Sequence, residues 1–353
     1  MIENIVIAVY CISIVFISFH SIELFIKIAP KYGFVDIPNS RSSHKKITPR
    51  GAGIVFGFLY IIFNIVYNMY NFVDMYLAFV AIIIVYITGV VDDKYEIKSN
   101  TKFLFLIIAS VVAYFAGFKI EGIGTYFDLE TSLGYFALPF TVFAIVGLTN
   151  AVNLSDGLDG LAGSISVIIL SCLFYIGLLY DDSILTTWSG ILIAVLIGFL
   201  ILNWYPAKVF MGDSGSLLLG FVISILAIRA VEYVNHASVL FLAAVPILDT
   251  LIVFKRRIQR GLSPFVADKN HLHHILNNIK QDKAYTVKML IMLQFVFSCM
   301  FIQMHNKSNE LNILIFLTLF LIFYGLFDPR MKRRGKNAKL RKKYQREVKT
   351  KAS

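Results

Sequence analysis

Apolar residues along this chain neither alternate nor keep to one helical face; they run in long unbroken stretches divided by short polar segments. A helix needs about 20 such residues to cross the hydrocarbon of a bilayer. About eleven stretches approach that length, at 4–28, 51–70, 73–91, 102–118, 135–150, 160–179, 184–203, 214–232, 237–255, 285–304 and 311–327. The stretch 135–150 is the weakest, being short and holding Pro139. The pattern predicts an all-α polytopic membrane protein, because a helix satisfies its own backbone in lipid. The first stretch is not a cleaved signal: Glu3 replaces a basic leader, and no small-residue cleavage site follows. Between two spans, 119–134 alternates weakly around Gly122, Gly124, Tyr126 and Phe127, which predicts a short hairpin.

Composition agrees with that pattern. Of 353 residues, 58% are hydrophobic and only 16% charged, whereas soluble chains run near 45–50% and about 25%. Mean hydropathy is +0.72. A soluble enzyme, a disordered chain and a fibrous protein are excluded, since no single soluble core hides so much apolar surface. The net charge of +11 does not point to nucleic acid, because twelve of the 33 Lys and Arg follow Asp328. Positive loops mark the cytoplasmic side. With the N-terminus outside, the inner segments are 29–50, 92–101, 151–159, 204–213 and 256–284, and they carry Arg41, Lys45, Lys46, Arg50, Arg256, Arg257 and Arg260. The outer segments carry Lys119 and Lys307 beside Glu121, Asp128, Glu130, Asp181, Asp182 and Glu310. An odd number of spans places the C-terminus in the cytoplasm. One transmembrane domain over 1–328 is thus followed by a basic cytoplasmic tail, 329–353, suited to anionic lipid head groups. Cys11, Cys172 and Cys299 all fall in apolar runs and read as small buried hydrophobes.

Five polar clusters sit on the inner side, and the outer side has nothing comparable. The stretch from Asp36 to Gly51 contains Arg41, His44, Lys45, Lys46 and Arg50, a density suited to phosphate. Asp92 and Asp93 end a span; adjacent carboxylates stay ionised cheaply only beside a cation. In Asn150–Gly160, helical spacing would put Asn153 with Asp156, and Asp156 with Asp159, on a common face. Hard oxygen ligands there suit Mg²⁺, which takes one or two carboxylates plus substrate phosphates. In Asn203–Ser216, Asp213 opens a span where it can hold a cation against phosphate, and Phe210 can stack on a base. His271, His273 and His274 suggest zinc by density, but no further ligands accompany them, so phosphate contact fits better. There is no Walker loop and no GxGxxG.

Together, PNSRSSHKKITPRGAG, GVVDD, NAVNLSDGLDGLAG, PAKVFMGDSGS and HLHH, in this order from Asp36 to His274, resemble the polyprenyl-phosphate N-acetylhexosamine-1-phosphate transferases. The resemblance implies transfer of a sugar 1-phosphate from a UDP-N-acetylhexosamine to undecaprenyl phosphate, release of UMP, and a need for Mg²⁺ or Mn²⁺. It implies a bacterial cytoplasmic membrane, with the active site on the cytoplasmic face, and a homodimer is compatible with it. Residue by residue, it implies Asp213 and Asn153 at the metal and Asp92 and Asp93 as a catalytic acidic pair. It places Asp156 and Asp159 in the nucleotide-sugar site, Phe210 against uracil, Lys45 near the phosphates, and His271, His273 and His274 on the sugar or its phosphate. HLHH and Thr48-Pro49-Arg50-Gly51 resemble surface-glycan initiators more than the peptidoglycan translocase, which makes GlcNAc the default donor, with a deoxy-amino sugar such as FucNAc or QuiNAc as the alternative. A transporter would need ionisable residues at mid-membrane, for which Asp249 and Arg229 are the candidates and Pro246 a helix breaker.

Overall fold

A computed structural model describes residues 2–38, 47–69, 72–259, 261 and 271–327. Lys45 and the basic tail lie outside the described residues. The helices are α1 (Ile2–Ile28), α2 (Ala52–Tyr67), α3 (Phe72–Tyr95), α4 (Ser99–Phe115), α5 (Ala137–Leu154), α6 (Leu161–Leu179) and α7 (Ser183–Asn203). They continue as α8 (Asp213–Ala230), α9 (Val239–Leu242), α10 (Ala244–Ile258), α11 (Leu272–Lys280), α12 (Lys283–Met304) and α13 (Asn309–Phe327). The architecture is that of an all-α polytopic membrane protein. Two short antiparallel pairs join it: β1 (Val35–Asp36) with β2 (Thr48–Pro49), and the expected hairpin of β3 (Gly122–Tyr126) with β4 (Leu129–Ser132).

Each predicted span falls on helix, but not all as full spans. Among the described residues, eight helices are long and apolar enough to cross a membrane. The weak stretch is one of them, because three 3-10 residues, Gly134–Phe136, lengthen it ahead of Pro139. α2 and α4 have only 16 and 17 residues. The ninth predicted span is not one helix: His236–Leu242 and Ala244–Ile258 meet at 90°. Pro246 has no N–H and its ring clashes with the carbonyl four residues back, so the helix breaks ahead of it. Gln294, fully buried on α12, repairs the break. Its Oε1 accepts from Val245 N (3.2 Å) and its Nε2 donates to Leu242 O (2.8 Å).

α8 is the axis of the bundle. Of its spanning window 89% is buried, against 17% for α1 and 11% for α13, whose outer faces are left for lipid. A helix that is apolar all round belongs inside, and glycines let its neighbours reach it. A Cβ on Gly53 of α2 would sit 2.0 Å from Gly215 N, and one on Gly89 of α3 would sit 2.5 Å from Ser214 Cα. Lower down, Gly220 faces the Thr149 backbone of α5 in the same way, at 2.6 Å. Of the cysteines, only Cys172 is buried; Cys299 is exposed on α12, where a lipid-facing thiol is as acceptable as a buried one.

Candidate active site

The cleft is assembled at the N-terminal end of α8. The chain leaving α1 pairs β1 with β2, and then Arg50 bridges in parallel to Phe210. Phe210 N donates to Pro49 O (2.8 Å), while Gly51 N and Ala52 N both donate to Phe210 O (3.1 Å). These bonds fix Arg50 over the start of α8. Gly51 adopts φ +96°, a left-handed conformation that favours glycine.

The two aspartates at the end of α3 do different things. Asp93 has no exposed side chain. Its Oδ1 accepts from Asp213 N (2.8 Å), and its Oδ2 accepts from Ser214 N (3.0 Å) and Ser214 Oγ (2.5 Å). It caps α8 from a neighbouring helix, a task normally done by the residue just ahead of the first turn. That residue is Gly212, at φ +77°, where a Cβ would sit 2.4 Å from the Asp93 carboxylate. Asp92 instead places Oδ2 2.8 Å from Lys102 Nζ, and the same ammonium lies 2.6 Å from Asp213 Oδ2. Among the described residues, the buried Oδ1 of Asp92 has no hydrogen-bond partner. Arg50 approaches from the other side, with Nε 3.4 Å from Asp93 and a terminal nitrogen 3.6 Å from Asp213 Oδ1. Burial works against its charge, but the Asp93, Asp213, Asp36 and Asp92 carboxylates outweigh it and raise its pKa.

The segment after α5 completes the wall. Asn153 is in the last helical turn, but Ser155–Gly160 is a run of turns, so Asp156 and Asp159 do not share a helix face with it. The two glycines stop the helix, and Gly160 opens α6 at φ +76°. The residues nevertheless converge: Asp36, Arg50, Asn153, Asp156, Asp159, Asn203, Phe210 and Asp213 all line one polar cleft of about 260 Å³. Asn203 ties its edges, accepting from Gly160 N (2.9 Å) and donating to Val209 O (2.8 Å). Asp159 accepts from Ala207 N at 3.1 Å, and Asn153 donates to Ser216 Oγ at 2.7 Å.

Desolvation pushes the Asp156 carboxyl up to about 7, with the Asp213, Asp93 and Asp159 carboxylates adding and Arg50 opposing. Its folded pKa lies above that of an unfolded aspartate, near 4. The protonated form therefore favours the fold fully below pH ~4, and that advantage is lost as pH rises towards 7. Asp156→Asn is accordingly expected to melt a few °C above the wild type at pH 8, with a smaller gap at pH 5. Calorimetry at the two pH values reads this.

The histidine segment reaches the same wall. Asp249 of α10 accepts from His271 Nδ1 (2.9 Å) and from Leu272 N (2.7 Å). His273 stacks parallel to His271 and lies against Gly157, where a Cβ would be 2.3 Å from its Nε2. Burial and the neighbouring His274 push His273 down to about 3, so it is neutral at physiological pH. It can donate or accept a hydrogen bond but brings no charge to phosphate. His274 alone of the three is exposed.

The structure thus brings Asp92, Asp93, Asn153, Asp156, Asp159, Phe210, Asp213 and the histidines to one end of the bundle. Lys45 lies outside the described residues. The sequence does not single out Lys102, which reads there as a boundary lysine ahead of an apolar run. Its position ten residues beyond Asp92, across a short turn, is the only signal of its role. Asp249 anchors His271, and Arg229 pairs with Asp182 (2.7 Å) and Glu232 (2.7 Å), so neither needs a transport pathway to explain it.

The family model for glycosyl transferase family 4 matches residues 75–231, which hold the acidic pair, the Asn153–Asp159 segment and Asp213. A probable undecaprenyl-phosphate N-acetylglucosaminyl 1-phosphate transferase of Bacillus subtilis (strain 168) is 35% identical over 302 residues, 84% of this chain and 83% of the relative. Undecaprenyl-phosphate α-N-acetylglucosaminyl 1-phosphate transferases of Yersinia pestis and Escherichia coli (strain K12) are 27% and 26% identical, each over 91% of this chain and 90% of theirs. With the cleft built from the segments that carry the sequence resemblance, and with similarity extending over most of its length, the chain belongs to glycosyl transferase family 4.

Proposed function

We propose that the protein transfers N-acetylglucosamine 1-phosphate from UDP-N-acetylglucosamine to undecaprenyl phosphate, yielding UMP and the lipid diphosphate sugar. The observation that carries this reading is the cleft itself. Asp213, Asp156 and Asn153 line it with Arg50 and the Phe210 ring, and Lys102 pairs with Asp213, at the end of a membrane bundle. The charge bias of the loops puts this end in the cytoplasm, where nucleotide sugars are made, and a bacterial cytoplasmic membrane supplies the lipid.

The residues fit a divalent cation. Of six carboxyl groups in and beside the cleft (Asp36, Asp92, Asp93, Asp156, Asp159 and Asp213), Asp92, Asp93 and Asp213 are met by ion pairs from Arg50 and Lys102, and Asp92 keeps an orphaned oxygen. No three of His, Cys, Asp and Glu among the described residues converge into a ready cage, which suits Mg²⁺, an ion completed by water and substrate phosphates. Asp213 and Asn153 are the residues to hold it. Bound there, it would polarise the donor diphosphate and offset charge on departing UMP.

The acceptor is a phosphomonoester with a second pKa near 6, already mostly dianionic at pH 7. Its approach to an anionic donor needs neutralisation more than a base, and Arg50 and Lys102 supply it. Asp92 holds Lys102 beside Asp213, and an oxygen of the acceptor phosphate attacks the sugar-linked phosphorus. The bond to UMP breaks, and UMP leaves with the electron pair. Asp93 has both oxygens committed to α8, so it positions Asp213 rather than touching substrate. Phe210 offers a face for uracil. A phosphorylated aspartate trapped from UDP-sugar alone would overturn this direct route.

The test is UMP release by the full chain in lipid nanodiscs with undecaprenyl phosphate, Mg²⁺ and a panel of UDP-sugars. Release with UDP-N-acetylglucosamine that depends on the lipid is the expected result; preference for a FucNAc, QuiNAc or MurNAc-pentapeptide donor would reassign the sugar. No release with any donor from folded protein would overturn the reading. In the same assay Asp249→Ala is expected to lose roughly 10- to 100-fold, as for other residues that orient a working histidine.

A further inference from the structure

Lys102 occupies an unusual place. Its Nζ lies 2.6 Å from Asp213 Oδ2 and 2.8 Å from Asp92 Oδ2, bridging the end of α3 to the start of α8. The other oxygen of Asp213 meets the looser guanidinium of Arg50, at 3.6 Å. The lysine side chain is 24% exposed rather than sealed in the bundle, and it touches the cleft through Asp213, one of its lining residues. It projects from the first turn of α4, whose remaining turns are apolar. An ammonium and a dication cannot share this position, because they repel and compete for the same lone pairs. The lysine bridges Asp92 and Asp213, and among the described residues no acidic cage is formed.

We propose that Lys102 is a resident counter-ion that holds the metal position until a divalent cation takes it. In the free protein its ammonium keeps Asp92 and Asp213 paired; when a divalent cation takes Asp213, the ammonium moves to phosphate oxygens of the bound reactants. This rests on the metal-dependent transferase reading above. Lysine suits the task better than arginine: it is a compact point charge on a flexible four-carbon stem, able to exchange partners without a fixed fork geometry. Metal and phosphate-bearing substrate then bind cooperatively, since the phosphates give the displaced ammonium a new partner.

The test is Mn²⁺ binding, followed by paramagnetic resonance, to the full chain in nanodiscs without nucleotide. Lys102→Met is expected to bind Mn²⁺ roughly tenfold tighter than the wild type, since removing one close cation from a carboxylate pair is a change of that order. The same substitution should lower UMP release, and Asp213→Asn should abolish the Mn²⁺ signal in both backgrounds. A folded Lys102→Met that binds Mn²⁺ no more tightly overturns the proposal, as does absence of Asp213-dependent binding in either protein. If Lys102→Met fails to fold, acetylation of Lys102 in the wild type, read by mass spectrometry, decides. It should rise several-fold on adding Mn²⁺ alone, and unchanged labelling overturns the inference. Failure of the transferase reading is separate, since it appears as absent UMP release by the wild type whatever the metal contrast.

Discussion

Asp213→Asn is expected to lower UMP release roughly 10²–10³-fold, the usual cost of removing one preorganised electrostatic group from an active site, while the protein still folds. The carboxamide has nearly the same shape, so α8 can start where it does now. The cap that starts it comes from Asp93, which accepts backbone N–H groups that the substitution leaves in place. What disappears is the charge facing Lys102 and Arg50. That charge sits in the first turn of α8, where the helix dipole favours an anion. Initial rates and a thermal melt on the same preparation check both halves. Activity above a tenth of wild type, or a melt lowered by more than a few °C, would show that Asp213 serves the fold rather than the reaction.

Gly53→Ala is expected to be worse for the molecule as a whole. The added Cβ would lie 2.0 Å from Gly215 N, 2.3 Å from Gly215 Cα and 2.6 Å from Ser214 C. All three are backbone atoms, so no rotamer change relieves the clash. α2 must move away from α8, taking with it the 48–53 segment that sets Arg50. Overpacking typically costs about 1–3 kcal/mol and sometimes more, and rigid backbone on both sides puts this case at the upper end, at about 3 kcal/mol. Alanine's better helix propensity, worth about 1 kcal/mol, offsets only part of that. Activity should fall with it, because Gly215 is two residues from Asp213. Gly147→Ala is the control: its Cβ would meet nothing within 4 Å, so stability should hold or rise. Thermal melts of the three proteins in one detergent separate these outcomes.

Much of this was legible in the residues. Unbroken apolar runs mark the helices because lipid leaves few other backbone solutions, and polar residues kept at one end of such helices stand out. The parts that were not legible depend on pairs distant in sequence. Asp93 and Asp213 read alike as acidic residues at span ends, yet one caps the other's helix across 120 positions. Pro246 announces a break, but the partner that makes it tolerable, Gln294, lies on another helix. Asp156 and Asp159 invite a helical-face reading until Gly157 and Gly160 are seen to end the helix. The eleven-span expectation treats α2 and α4 as full spans, although 16 and 17 residues is the lower edge of what the hydrocarbon demands.

The burial of α8 also bears on how such a chain is built. Its spanning window has the lowest hydropathy of the eight candidates, 1.6, and the highest burial, 89%. It would therefore partition into lipid less readily than its neighbours, yet it is the helix the bundle closes around. The helices that meet it through glycine contacts, α2, α3 and α5, are all synthesised earlier. When α8 leaves the ribosome its cage is already in the membrane, and the solvent it enters is protein. The order of segments along the chain lets a helix carrying Ser214, Gly215 and Ser216 be inserted after the neighbours that receive it.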